Sequence, residues 1–242
     1  MKKTTKLSAF TLIELLVVIA IIGILAGLMS GAISGVMTGA NATKIGNNGR
    51  NIVNALLQAN QDREAAALSD LWPQKDSAQQ KLGPKSNQKT YSDANTYFQA
   101  LLELEYIDGI SLPDFAGANV EAVQDTADLA TGGNLWCTLG GVGRCSSSYT
   151  PAIWSRNLDG IEEKDFENAD AEEMWADKLS SDESNIRTPF GKELMVVVRK
   201  GGAMQVLKKK QISQFTFLGG ATNKSDQIVI LKTADEDIGS GS

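Results

Sequence analysis

The sequence predicts an α+β protein: a long N-terminal helix, apolar in its first half, with a C-terminal antiparallel sheet packed on its amphipathic second half. Three observations lead there. Phe10 to Ala40 reads FTLIELLVVIAIIGILAGLMSGAISGVMTGA, an apolar run in which Glu14 is the only charge. From Ala42 onward, Ile45, Ile52, Val53, Leu56 and Leu57 recur at helical spacing among Lys44, Arg50, Asn54 and Gln58. The C-terminal third then holds strand-like runs punctuated by glycine. The expected organisation is a leader over 1–9, an apolar helix over 10–40, its amphipathic continuation over 41–72, and a globular head over 73–242.

The apolar run exceeds the roughly 20 residues that cross a bilayer. Within it Glu14 costs on the order of 3 kcal/mol at bilayer depth unless it is paired, so it needs a partner. Ahead of the run, Met1 to Ala9 carries Lys2, Lys3 and Lys6, no acidic residue, and the small residue Ala9 directly before Phe10. A cut between Ala9 and Phe10 would create an α-amino group about one helical turn from the Glu14 carboxylate. At these residues the sequence resembles the type IV pilin and type II secretion pseudopilin family: a Lys-rich leader, a small residue, then Phe10-Thr11-Leu12-Ile13-Glu14 and an apolar helix. The resemblance implies a pilin-like fold, cleavage at Ala9/Phe10 and methylation of the Phe10 amine by a prepilin peptidase. It also implies that Glu14 meets the Phe10 amine of a neighbouring subunit in a helical fibre. The family usually has Gly before the cut, where this chain has Ala9.

Along the same helix Gly23, Gly27, Gly31, Gly35 and Gly39 are each four residues apart. That spacing lines one ridge, and a small-xxx-small ridge lets two helix backbones approach closely. Relatives in the family often have a proline in this region and a loosened helix in the fibre. Here Gly31 and Gly35, with Ser30 and Ser34, are the expected place for any loosening. The amphipathic helix is expected to run to about Leu71, with a weak point at Asn47-Asn48-Gly49, and to end before Trp72-Pro73.

Beyond it, Gln74 to Thr90 reads as an exposed loop around Gly83-Pro84. Ser92 is the expected N-cap of a short core helix that contains Tyr97, Phe98, Leu101, Leu102 and Leu104 and ends at Asp108-Gly109. Ala118 to Ala130 is a weaker helix, Leu135 to Tyr149 a cysteine-bearing loop, and Thr150 to Ser155 a strand before the turn at Asn157-Leu158-Asp159-Gly160. Glu162 to Leu179 is acidic, with Phe166, Met174, Trp175 and Leu179 as its few apolar contacts, and reads as a surface helix or partly mobile segment. Glu193 to Lys200, Gly201-Gly202 and Ala203 to Lys208 form a hairpin with a two-residue turn, which Phe215 to Leu218 and Ile228 to Lys232 extend into an antiparallel sheet.

Composition excludes several functions. The chain of 242 residues has net charge -6 and no histidine, which removes Ser-His-Asp and Cys-His catalysis and the commonest zinc ligand. Positive charge sits in the leader and acidity in the remainder, which suits a leader kept in the cytoplasm and an exported body. That acidity also argues against nucleic acid as a partner. The lysines Lys208, Lys209 and Lys210 read as a solvated edge, and the Glu162/Glu163 pair as a solvated face with no catalytic role. In an exported domain Cys137 and Cys145 are expected as a disulfide, with a redox pair as the alternative. Thr188-Pro189-Phe190-Gly191-Lys192 and Asp235-Glu236-Asp237-Ile238-Gly239 resemble the major pseudopilins of type II secretion. There an acidic C-terminal loop binds calcium, which would make Asp235 and Asp237 ligands; an ordinary acidic tail is the other reading, and no further cofactor is expected.

The expected function is structural, not enzymatic: a prepilin of a type II secretion pseudopilus or a type IV pilus. It would be held in the bacterial inner membrane with its head in the periplasm, then assembled into a periplasmic or extracellular fibre. Its implied partners are prepilin peptidase, membrane lipid, an inner-membrane assembly platform, and further copies or other pilin-like subunits. The alternative is a Sec-exported or membrane-anchored binding protein, cut near Ser30-Gly31-Ala32.

Overall fold

A computed structural model describes residues 12–74, 80–117, 124–129, 133–143, 146–158, 161, 165, 175–179, 190–218 and 229–231, without the side chains of 29–34 and 229. Contacts divide the chain into two units, Met1–Ala40 and Asn41–Ser242.

The first element, α1, runs from Leu12 to Ala65, 54 residues. The expected weak point at Asn47-Asn48-Gly49 is regular helix. The helix stops at Ala65, short of the expected Leu71, because the chain turns left-handed at Ala67, with φ of 54°. There the Leu68 N–H donates to the Arg63 carbonyl at 2.8 Å and the Ala67 N–H to the Glu64 carbonyl at 3.0 Å. These two bonds form a Schellman cap, with alanine in the place glycine usually takes. Beyond the cap Leu71 and Trp72 are buried. Leu71 is held from both sides: its N–H donates to Asn60 Oδ1 at 2.6 Å and its carbonyl accepts from the Tyr97 hydroxyl at 2.9 Å.

Part of the expected loop after Gln74 is a small antiparallel ladder of β1 (Lys81–Leu82) and β2 (Lys89–Thr90). Helix α2 follows at Ala94–Glu103, capped by Asp93 instead of the expected Ser92. Asp93 Oδ1 accepts from the Thr96 N–H at 2.9 Å, while the Ser92 hydroxyl braces the other carboxylate oxygen at 2.8 Å. The helix ends earlier than expected, because Glu105 is left-handed with φ of 53° and closes a second Schellman cap: its N–H donates to Leu102 and that of Tyr106 to Leu101. Tyr91, Tyr97, Phe98 and Phe115 form a chain of ring contacts with centroids 5.1 to 5.2 Å apart along this layer. Of the weaker helix expected over 118–130, the described part is one turn, α3 (Thr126–Asp128).

The main sheet is antiparallel throughout and has five strands in the order β6-β5-β4-β3-β7. Its strands are β3 (Trp136–Gly140), β4 (Pro151–Ser155), β5 (Leu194–Arg199), β6 (Met204–Lys208) and β7 (Val229–Leu231). Two expectations change here. Trp136 to Gly140 is an inner strand where a cysteine loop was expected, and Phe215 to Leu218 belongs to a helix, α4 (Gln214–Leu218). A reciprocal cap makes that helix: the Ser213 N–H donates to Thr216 Oγ1 at 2.9 Å and the Thr216 N–H to Ser213 Oγ at 3.2 Å. The β5–β6 hairpin turns through three residues, not two. The Gly202 N–H bonds the Arg199 carbonyl at 2.8 Å, and Gly202 itself is left-handed with φ of 79°, which is a type I turn closed by a glycine bulge.

Every residue of β3, β4 and β5 is buried, so both faces of the sheet are covered. On one face Trp136 lies against α1 so closely that a Cβ on Gly49 would sit 2.5 Å from its ring; a Cβ on Gly46 would sit 2.7 Å from Met204. On the other face Trp154 and Trp175 meet Phe217, with centroids 5.3 and 5.6 Å apart. The buried Arg199 guanidinium donates there to the Tyr149, Thr216 and Phe217 carbonyls at 2.6 to 2.9 Å, satisfying the end of α4. Burial pulls its pKa below the ordinary arginine value. Trp175 and Leu179, two of the apolar contacts expected along Glu162 to Leu179, are buried in the core, while most of that segment lies outside the described residues.

The contact with Trp136 gives a test. In an open helix Gly→Ala gains about 1 kcal/mol, which is the result expected for Gly39, whose Cβ position is empty. At Gly49 the added methyl overpacks the Trp136 contact, and a net loss of about 1 to 3 kcal/mol is expected. Thermal unfolding of the two variants, full length and in detergent, measures the difference.

Candidate functional site

The candidate site is the exposed apolar part of α1 with Glu14 at its start. Apolar side chains are open to the surroundings on every face of this stretch, from Leu12 at 80% and Leu28 at 74% to Val36 at 72% and Met37 at 60%. From Ala42 the same helix changes character and buries Ile45, Ile52, Val53 and Leu56 against its own domain. An apolar surface exposed all round marks a contact with lipid or with other helices. Among the described residues no helix is long and apolar enough to cross a membrane. The described run of apolar side chains breaks at Leu28, since those of residues 29–34 lie outside it.

Glu14 is exposed and lies in the first turn of α1, where the positive end of the helix dipole favours a carboxylate. Ala9 and Phe10, the expected scissile pair, lie outside the described residues. Gly23, Gly27, Gly35 and Gly39 have nothing within 4 Å of their Cβ positions, so that ridge is open to an approaching backbone. Gly31, Ser30 and Ser34 fall in the stretch whose side chains are not described.

Cys137 is buried in β3, while Cys145 lies outside the described residues, as do Asp235 and Asp237, the Glu162/Glu163 pair and the Thr188-Pro189 turn. Among the described residues no cluster of three metal-ligating side chains occurs. Lys208 and Lys210 are exposed at the end of edge strand β6, where lysine discourages edge-to-edge pairing.

Lys200 is a functional group of the head that the sequence reading passed over. It sits in the β5–β6 turn, 8% exposed, and its ammonium donates to the Gly143 carbonyl at 2.6 Å and the Ser146 carbonyl at 2.9 Å. The Trp72 ring lies 6.0 Å away. One cation thereby joins the hairpin turn, the loop between β3 and β4, and the chain that leaves α1. Its only sequence signal was a lysine directly before Gly201-Gly202. Hydrogen bonds from a charged donor contribute about 1.5 to 3 kcal/mol, so Lys200→Met should destabilise the fold by about that amount. Hydrogen exchange should then show faster opening at Gly141 and Thr150, whose N–H groups bond Pro73 and Ser147.

Comparison with known proteins agrees with the N-terminal geometry. A family model described as the prokaryotic N-terminal methylation motif matches residues 6–30. This motif is the hallmark of the prepilin-type signal of type IV pilins and pseudopilins, and the chain carries it over the segment that holds Ala9, Phe10 and Glu14. No curated protein and no solved structure matches the chain.

Proposed function

We propose that the chain is a prepilin, a structural subunit of a type II secretion pseudopilus or a type IV pilus. The methylation motif on the exposed apolar start of α1 is the observation that carries this reading. A prepilin peptidase cuts between Ala9 and Phe10 and methylates the new amine. Before assembly the stretch from Phe10 to Ala40 lies in the inner membrane, and the head faces the periplasm; 41–65 is the part of the helix that belongs to the head. On assembly through an inner-membrane platform the apolar helix leaves lipid for the company of other copies or other pilin-like subunits.

Glu14 sets the register of that transfer. A carboxylate at bilayer depth costs on the order of 3 kcal/mol, and an ammonium partner on the neighbour's Phe10 removes most of that cost. Incoming subunits that bring the amine to Glu14 are favoured over those that do not. The glycine ridge permits close backbone approach. A Cys137–Cys145 disulfide would fasten the head in the oxidising compartment. The function is assembly and needs no catalytic group.

Glu14→Ala separates processing from assembly. The variant is expected to be cut and methylated like the unsubstituted chain but to yield no sedimentable fibre. Fibre at the unsubstituted level from Glu14→Ala would contradict the role assigned to this carboxylate.

A further inference from the structure

Several lysines of the head collect at one end of its sheet, and the strand directions say which end that is. Strand β3 starts beside Ile45, since a Cβ on Gly117 would sit 2.7 Å from Ile45 and 2.8 Å from Leu135. It leads to Gly141, whose N–H donates to the Pro73 carbonyl at 2.8 Å, two residues beyond Leu71, which bonds Asn60 near the end of α1. So β3 runs the same way as α1. With every pairing antiparallel, β5 runs with the helix and β6 against it. Contacts of β6 agree: Gly202 faces Asn54, while Met204 reaches back to Gly46. From Met204 the strand continues to Lys208, about 13 Å further, whereas about 8 Å of helix separate Gly46 from Asn41. Lys208, Lys209 and Lys210 therefore stand at the end where α1 enters the head. Lys192 joins them, because the Lys209 N–H donates to the carbonyl of Glu193 at 2.9 Å, and Lys44 lies on α1 itself at that end.

We propose that this lysine end of the head is a contact surface for anionic lipid headgroups, used while the chain is still held in the membrane. The proposal rests on the prepilin reading above and adds what the head does before assembly. Three observations favour lipid as the occupant. The first is that the charges are available: Lys44, Lys192, Lys208 and Lys210 are exposed and Lys209 is half-exposed. Other lysines of the head are in use, Lys89 on Glu103, Lys178 on Asp165 and Lys200 on loop carbonyls. Among the described residues none of the five makes an ion pair, although Glu193 and Asp177 are exposed in the same region.

Position is the second observation. Lipid charge is felt only within about a Debye length of the surface, roughly 8 to 10 Å. On the prepilin reading Phe10 to Ala40 lies in the bilayer, so the end that receives the chain at Asn41 is the one that faces the headgroups. The third is length. Phe10 to Ala40 is 31 residues, about 46 Å as helix, against roughly 30 Å of hydrocarbon. A helix that exceeds the hydrocarbon thickness tilts, and lysines at the interface set the direction of the tilt. Tilting lowers one side of the head to the surface, and the lysines at the end of β6 select that side. Extraction into a fibre then releases the contact.

The test is site-resolved lysine footprinting of the full chain in vesicles of phosphatidylcholine, with and without phosphatidylglycerol. A membrane-impermeant acylating reagent is read out by mass spectrometry. Lys81 and Lys85 are the internal reference, because they are exposed around the β1–β2 ladder, which Tyr91 ties to Gln74 at the other end of the head. With phosphatidylglycerol present, Lys208 and Lys210 are expected to react about fivefold more slowly, to recover in high salt, and to leave Lys81 and Lys85 unchanged. Equal rates in the two vesicles would overturn the contact. Protection that ignores the lipid and grows with protein density would also overturn it, assigning the surface to a second copy. Both of those results leave the prepilin reading standing, whereas a chain that does not float with the vesicles would remove both.

Discussion

An apolar helix surface that its own domain does not cover has to be covered by something else, at roughly 25 cal/mol for each Å² taken from water. In α1 that surface is described from Leu12 to Leu28 and again at Val36 and Met37, and the proposed chemistry of the N-terminus follows from it. Lipid would satisfy the side chains but would be a poor solvent for the Glu14 carboxylate. Other helices of the same kind satisfy both, provided one of them brings an ammonium group. On the proposed reading a new α-amine at Phe10 is such a group, which would place the methylation motif and the Glu14 carboxylate on the same few residues to one purpose.

Below Ala42 the helix meets the opposite demand, because it must lie under a sheet. Glycine at 46 and 49 lets Met204 and Trp136 approach the helix backbone itself. The price is borne locally, in helix propensity, and the return is a sheet whose three inner strands are buried on both faces. Lys200 and Arg199, adjacent in one hairpin, then fasten loops on either side by donating to their carbonyl groups.

The N-terminal half was the most legible part of the chain. A run of apolar residues interrupted by one carboxylate has few physical solutions, and periodicity located the buried face from Ile45 to Leu56. The β5–β6 hairpin was legible for the same reason, since Gly201-Gly202 between β-branched runs has one obvious use. Other features depended on partners far away in sequence. Nothing local in Trp136-Cys137-Thr138 distinguishes a strand between β4 and β7 from a loop. The end of α1 at Ala65 depends on alanine accepting a left-handed conformation, where sequence signals lead one to look for glycine. Phe215 to Leu218 had strand composition, and only the reciprocal bonds of Ser213 and Thr216 made it helical. Gly49 by itself reads as a weakness in the helix; the nearby Trp136 ring, 87 residues on in the chain, gives it its purpose.

Processing of this N-terminus for assembly is tested most directly by the N-terminal residue and mass of the protein taken from its native membrane. A chain beginning at Phe10 and carrying one added methyl group is the predicted result. A chain that begins at Met1, or near Ile33 after removal of the apolar run as a signal peptide, would contradict it.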